Sequence, residues 1–71
     1  MFHFTVELER EEDGRWIAEV LELPGVLVYG QSREEAVNRA EALALRVLAD
    51  QIESQATSRS ELAMTVSFAG V

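Results

Sequence analysis

Residues 2–21, FHFTVELEREEDGRWIAEVL, hold two runs of apolar residues interleaved with polar ones, joined by a charged turn. How these runs pair decides the fold. In the first run Phe2, Phe4, Val6 and Leu8 alternate with His3, Thr5, Glu7 and Glu9, the period of a half-buried strand. The second, residues 15–21, is rich in strand formers, and the length of the turn sets which of its side chains share a face with the first. A two-residue Asp13-Gly14 turn would bury Glu19 beside Phe4, Val6 and Leu8 and send Trp16, Ala18 and Val20 outward. A three-residue loop of Glu12, Asp13 and Gly14, with Gly14 in the left-handed position of a bulge, instead puts Trp16, Ala18 and Val20 with the apolar set. The spacing predicts the second register, with Glu11 opposite Arg15.

Downstream, LELPG at 21–25 turns the chain: Pro24 fixes its own φ and Gly25 supplies a positive one, as in a type II turn. VLVYG at 26–30 is a short third strand without charge. Ser32-Arg33-Glu34-Glu35 reads as a capping box, so a helix is expected from Arg33 to about Glu53. Its inner arc is Ala36, Val37, Ala40, Leu43, Ala44, Val47 and Leu48. Glu35, Arg39, Arg46 and Asp50 form the outer arc, with Glu35 and Arg39 paired one turn apart. Residues 54–60 read as a loop. Residues 61–69 alternate again, with Leu62, Met64, Val66 and Phe68 inward and Ala63, Thr65, Ser67 and Ala69 outward.

The order β-β-β-α-β makes an α+β fold: an antiparallel meander, then a right-handed crossover to a fourth strand parallel to the first. The expected four-stranded mixed sheet has the order 3-2-1-4 and one helix on one face. Its other face would carry His3, Thr5, Glu7, Glu9, Arg15, Ile17, Glu19 and Leu21, with Glu7 across from Glu19 and Glu9 across from Ile17. Like charges opposed across strands disfavour folding, so this acidic surface around Ile17 and Leu21 is a candidate docking face, with Glu7, Glu9, Ile17, Glu19 and Leu21 as contacts. The bland alternative is that the glutamates only solvate an open face. The uncharged third strand is a sheet edge, which predicts a subunit contact through Val26, Leu27, Val28 and Tyr29.

The whole chain narrows the function further. Its 71 residues suit a single domain, 1–71, and 48% apolar residues suffice for a packed core. Cores of this size supply only about 3–5 kcal/mol, so a homo-oligomer is expected. No cysteine is present, which removes disulfides, thiolate metal sites and a Cys nucleophile. Neither a signal peptide nor a membrane span is read, and a cytoplasmic location is expected. Thirteen acids against six arginines and no lysine give a charge of −7, which repels phosphate backbones and suits a basic protein partner. His3 is the single histidine and the only aspartates are Asp13 and Asp50, so neither a histidine metal triad nor a serine triad is assembled. A loose cation site on Glu7, Glu9 and Glu19 is the one metal reading left, and two-metal nuclease sites need acids more firmly placed than strand alternation provides. No enzyme, catalytic residue or cofactor is expected.

The stretch 13–36, DGRWIAEVLELPGVLVYGQSREEA, resembles the HicB-like antitoxin domain. The matching positions are Asp13, Gly14, Trp16, Glu22, Leu23, Pro24, Gly25, Gly30, Ser32, Glu34, Glu35 and Ala36, about a third of the chain. The resemblance implies a partial ribonuclease-H-like fold without nuclease activity, whose members neutralise small basic HicA-type mRNA-cleaving toxins. Many members continue into a C-terminal DNA-binding segment. This sequence ends at Val71 after the last expected strand, so direct DNA binding is not expected of it. A self-associating structural or regulatory domain with no toxin partner is the alternative.

Overall fold

The structure, a computed structural model, describes residues 2–54 and 65–70. Its elements are β1 (Phe2–Arg10), β2 (Trp16–Val20), β3 (Leu27–Gly30), α1 (Arg33–Ser54) and β4 (Val66–Ala69). They form one mixed sheet in the order β3-β2-β1-β4, with β4 parallel to β1 and the other pairs antiparallel. This is the expected α+β arrangement. The expectations for residues 55–64, including inward Leu62 and Met64, lie outside the described residues.

The β1–β2 turn takes the three-residue form. Gly14 has φ 93° and donates its N–H to the Glu11 carbonyl at 2.9 Å, while the Glu11 N–H reaches the Arg15 carbonyl at 2.7 Å. The register that results pairs Val6 with Val20, Leu8 with Ala18 and Arg10 with Trp16, which gathers the apolar side chains on one face. The second turn closes through the Val26 N–H on the Leu23 carbonyl at 3.1 Å, with Gly25 at φ 89°, as a Pro-Gly type II turn requires.

The core lies between that face and one side of α1. Phe4, Val6, Ala18, Val20, Leu23 and Val26 are buried against Ala36, Ala40, Ala44 and Leu48. Three alanines four residues apart make a flat stripe that lets the helix settle onto the sheet. Leu43 and Val47 flank the stripe and pack on the core. Val37, expected on the same arc, is only half-buried and stands outside the core cluster. At the other end Phe4 meets Phe68 of β4 with ring centroids 5.5 Å apart. Trp16 is half-buried at the rim, with the Arg10 guanidinium 6.0 Å from its ring centre.

The helix start is fixed by side chains and by contact. Ser32 Oγ accepts the Glu35 N–H at 3.0 Å, and Glu35 returns a bond to the backbone N–H of Gln31 at 2.6 Å, one residue before the position a standard capping box serves. Just upstream, a Cβ on Gly30 would lie 2.4 Å from the Ala36 backbone nitrogen, so β3 runs into the helix at a point where only glycine fits. Gly30→Ala should therefore lose about 2 kcal/mol through forced separation of the first helical turn from the sheet. Ser32→Ala should lose about 1 kcal/mol through the lost cap. Urea unfolding followed by circular dichroism checks both, and an unchanged midpoint for Gly30→Ala would refute the close contact.

Candidate functional site: the uncovered sheet face

The same register that fills the core sorts the opposite face. Across β1, β2 and β3 run two rows, Glu9–Ile17–Tyr29 and Glu7–Glu19–Leu27. A third position follows where the Leu21 N–H bonds the Thr5 carbonyl at 3.0 Å. On β4, Ser67 lies beside His3 and Ala69 beside Thr5. The expected contacts Glu7, Glu9, Ile17, Glu19 and Leu21 are thus brought together on one surface. Glu7, Glu9 and Glu19 are exposed, and with Ile17 and Leu8 they line a shallow depression of about 320 Å³.

Pairing of β3 adds two residues that the sequence reading placed elsewhere. Leu27 and Tyr29 share the face of Glu19 and Ile17, whereas Val28 packs on the helix side. Leu21, Leu27 and Tyr29 are 48%, 47% and 40% exposed, so three of the four large exposed apolar side chains of the described residues border this one surface. The parity of Ile17 against β3 was the missing step, since strand 3 has too few residues to reveal its own alternation. The expected contact over Val26–Tyr29 splits accordingly. Val26 is 1% exposed and its backbone is engaged within the chain, its N–H on Leu23 and its carbonyl accepting from Val20, so it presents no side chain to a neighbour.

Two local systems hold the ends of the face. Beside the first turn, the Asp13 carboxylate accepts the Arg15 backbone N–H at 3.0 Å and the Arg15 Nε–H at 2.8 Å. The Arg15 guanidinium lies 4.5 Å from the Tyr29 ring centre, a cation–π contact that fixes the ring above β2. The Arg15 backbone N–H, and with it the side-chain bond and charge, holds the Asp13 carboxyl below its ordinary range. At the opposite end, where β2 gives way to the turn, Glu22 takes the place of a strand: its carboxylate accepts the Thr5 N–H at 2.7 Å and the Thr5 hydroxyl at 2.8 Å. The Thr5 backbone bond, then the hydroxyl, lowers the Glu22 pKa from its usual value.

His3 Nδ1 and Ser67 Oγ are 2.6 Å apart, but they are cross-strand register neighbours on an exposed surface, and among the described residues no carboxylate is bonded to His3. Among the described residues no three His, Asp or Glu side chains are gathered closely enough to hold a metal ion. No helix of the described residues is long and apolar enough to cross a membrane. No protein-family model, curated protein or solved structure matches the chain.

Glu22 supplies a pH test. Its pKa is lowered on folding, so its contribution is fully present above the unfolded value near 4.5 and fades as pH falls through the lower folded value. Asp13 acts in the same sense from 3.8 downward. Stability measured by urea titration should therefore drop below about pH 4.5, and Glu22→Gln should flatten that part of the profile while costing stability at neutral pH. Superimposable pH profiles for the two proteins would show that Glu22 is not the strand-end clamp.

Proposed function

We propose that this chain is a HicB-like antitoxin or an antitoxin-related binding module, and that it neutralises a small basic HicA-type mRNA-cleaving toxin by covering the toxin's cationic active site with its acidic sheet face. The observation that carries this reading is the lateral pairing of Glu7 with Glu19 next to Ile17, Leu21, Leu27 and Tyr29 on a face that the helix leaves uncovered. Opposed glutamates cost the isolated fold, so a cationic partner set between them gains both its own attraction and relief of that repulsion. The exposed apolar side chains supply the desolvated contacts that slow dissociation. The net charge of −7 accelerates encounter with a basic protein and disfavours RNA or DNA as a direct ligand. The family assignment and the partial ribonuclease-H-like label rest on the resemblance over residues 13–36. On this reading the chain is a cytoplasmic inhibitor without catalytic residues or cofactor.

The second reading, a self-associating structural or regulatory domain with no toxin partner, is favoured by Leu27 and Tyr29, which stand exposed at the sheet edge.

Co-expression with a small basic protein of the HicA type, followed by affinity capture of this chain, tests the first reading. The toxin should co-purify with the wild type. Glu7→Lys together with Glu19→Lys should weaken the complex by tenfold or more, as expected when close interfacial charges are reversed. Glu19→Lys alone places opposite charges across Glu7, and should leave the fold intact or more stable by about 0.5 kcal/mol. A wild type that fails to retain the toxin at moderate salt, or a double variant that binds undiminished, would remove the antitoxin reading.

A further inference from the structure

A groove of about 670 Å³ runs along the outer edge of β3, between that strand and the flank of α1. Its floor is Val28, Ala42 and Leu43, its N-terminal end carries Glu34 and Glu35, and its far end carries Arg46. We propose that a second copy of this chain fills the groove: two β3 strands pair antiparallel about a twofold axis through Val28, giving a continuous eight-stranded sheet with both helices on one side. This inference holds with or without a toxin partner.

Four features agree on the arrangement. First, Val20 bonds the Val26 carbonyl, and antiparallel alternation then turns the backbone groups of Val28 toward β2 and those of Leu27 and Tyr29 toward the outer edge. With the axis at Val28, Leu27 of one protomer opposes Tyr29 of the other as a hydrogen-bonded pair, and each such pair exchanges both of its bonds. Other choices of axis within this four-residue strand satisfy fewer. Second, Leu27 and Tyr29, each nearly half exposed, are laid against each other across the new pair on the open face, and Val28 meets its own copy on the helix side.

Third, the helix heights match. Ala36 sits against Gly30; Val28 is about 6.6 Å back along the strand, a distance the antiparallel helix covers in about four residues, reaching Ala40. A twofold axis at that height sets Arg46 opposite the other protomer's Glu34 and Glu35, and Asn38 opposite Ala42. The groove is thus charged at its two ends in opposite senses, as a self-complementary surface must be. Fourth, α1 packs mainly on β3 and β2, so its axis runs over the gap between them. Joining two β3 edges at strand spacing then puts the helix axes about 10 Å apart, the usual distance for packed helices.

Arg39 shapes the same edge. Its guanidinium donates to the Tyr29 carbonyl at 2.9 Å and lies 3.6 Å from Glu35. The carbonyl has a second lone pair for the incoming Leu27 N–H. Arg39 therefore narrows the edge to a partner that brings few donors, and a β3 of four residues does so.

Light scattering on the full chain at high micromolar concentration should give twice the chain mass. Tyr29→Pro removes an outward N–H without touching the β2 ladder, and should give a monomer with an unchanged circular dichroism spectrum. Should that variant fail to fold, Arg46→Glu decides the question from the surface: it should raise the dimer dissociation constant about tenfold. Because the chain has no cysteine, Val28→Cys carries a single thiol. Opposed residues of a non-hydrogen-bonded pair lie within disulfide range, so this variant should oxidise to a covalent dimer, while Leu45→Cys should not. A strictly monomeric wild type, a dimer unaffected by both Tyr29→Pro and Arg46→Glu, or a dimer in which Val28→Cys stays unlinked overturns the proposal.

Discussion

One backbone dihedral organises this molecule. Gly14 at φ 93° closes a three-residue loop, and the odd length of that loop puts Trp16, Ala18 and Val20 on the side of Phe4, Val6 and Leu8. Side chains alternate with a period of two, so a register shifted by one residue would set Glu19 among the core valines and turn Ala18 to solvent. A charge in that position would lose its hydration with nothing to replace it. The hairpin therefore has one workable register, and every later element is aligned to it. β3 inherits its parity from β2, and β4, which follows the helix in the chain, takes its register from β1.

The close fit of helix to sheet follows from small residues on both partners. Gly30 leaves no Cβ where the strand meets the first helical turn, and Ala36, Ala40 and Ala44 are each fully buried along the contact. A single helix packed this tightly covers one side only, and the other must be paid for with polarity. Glutamates at 7, 9 and 19 meet that need, yet alternation in two paired strands also forces Glu7 against Glu19. The opposed glutamates are thus a by-product of a polar face, and they stand beside Ile17, Leu27 and Tyr29. A surface that combines unsatisfied charge with apolar relief is suited to association.

Much of this was legible in the sequence because the signals were local. Alternation in 2–9, the Gly14 loop, the Pro24-Gly25 turn and the Ser32 cap each involve residues close in the chain, and together they determine element order and sheet topology. The exposed cluster of Glu7, Glu9, Ile17, Glu19 and Leu21 follows from the same parity. What could not be read depends on contacts distant in the chain. The clamp of Glu22 on Thr5 exists because β2 ends one pair early and leaves a donor on β1 without a strand partner. The bond from Arg39 to the Tyr29 carbonyl depends on where the helix passes the sheet edge. Leu27 and Tyr29 carry no periodic signal in four residues, so their face was settled only by pairing with Ile17. Val37 shows the converse: it lies on the predicted apolar arc, yet it is only half-buried and stands outside the core cluster.

Edge pairing and an acidic docking face are compatible within one assembly. A twofold axis perpendicular to the sheet keeps both helices on one side and both open faces on the other, so pairing would not hide the glutamates. It would also not force them together. Leu27 and Tyr29 occupy the strands at the axis, which leaves the two Glu19 columns about 14 Å apart and the Glu7 columns about 24 Å apart at ordinary strand spacing. Both separations exceed the screening length of about 8 Å at physiological salt. In such a dimer the apolar strip would act as a spacer between two acidic surfaces, each left open to a cationic partner. Two such sites on one rigid sheet would bind a dimeric or clustered partner more tightly than separate protomers, provided the partner's sites match that spacing.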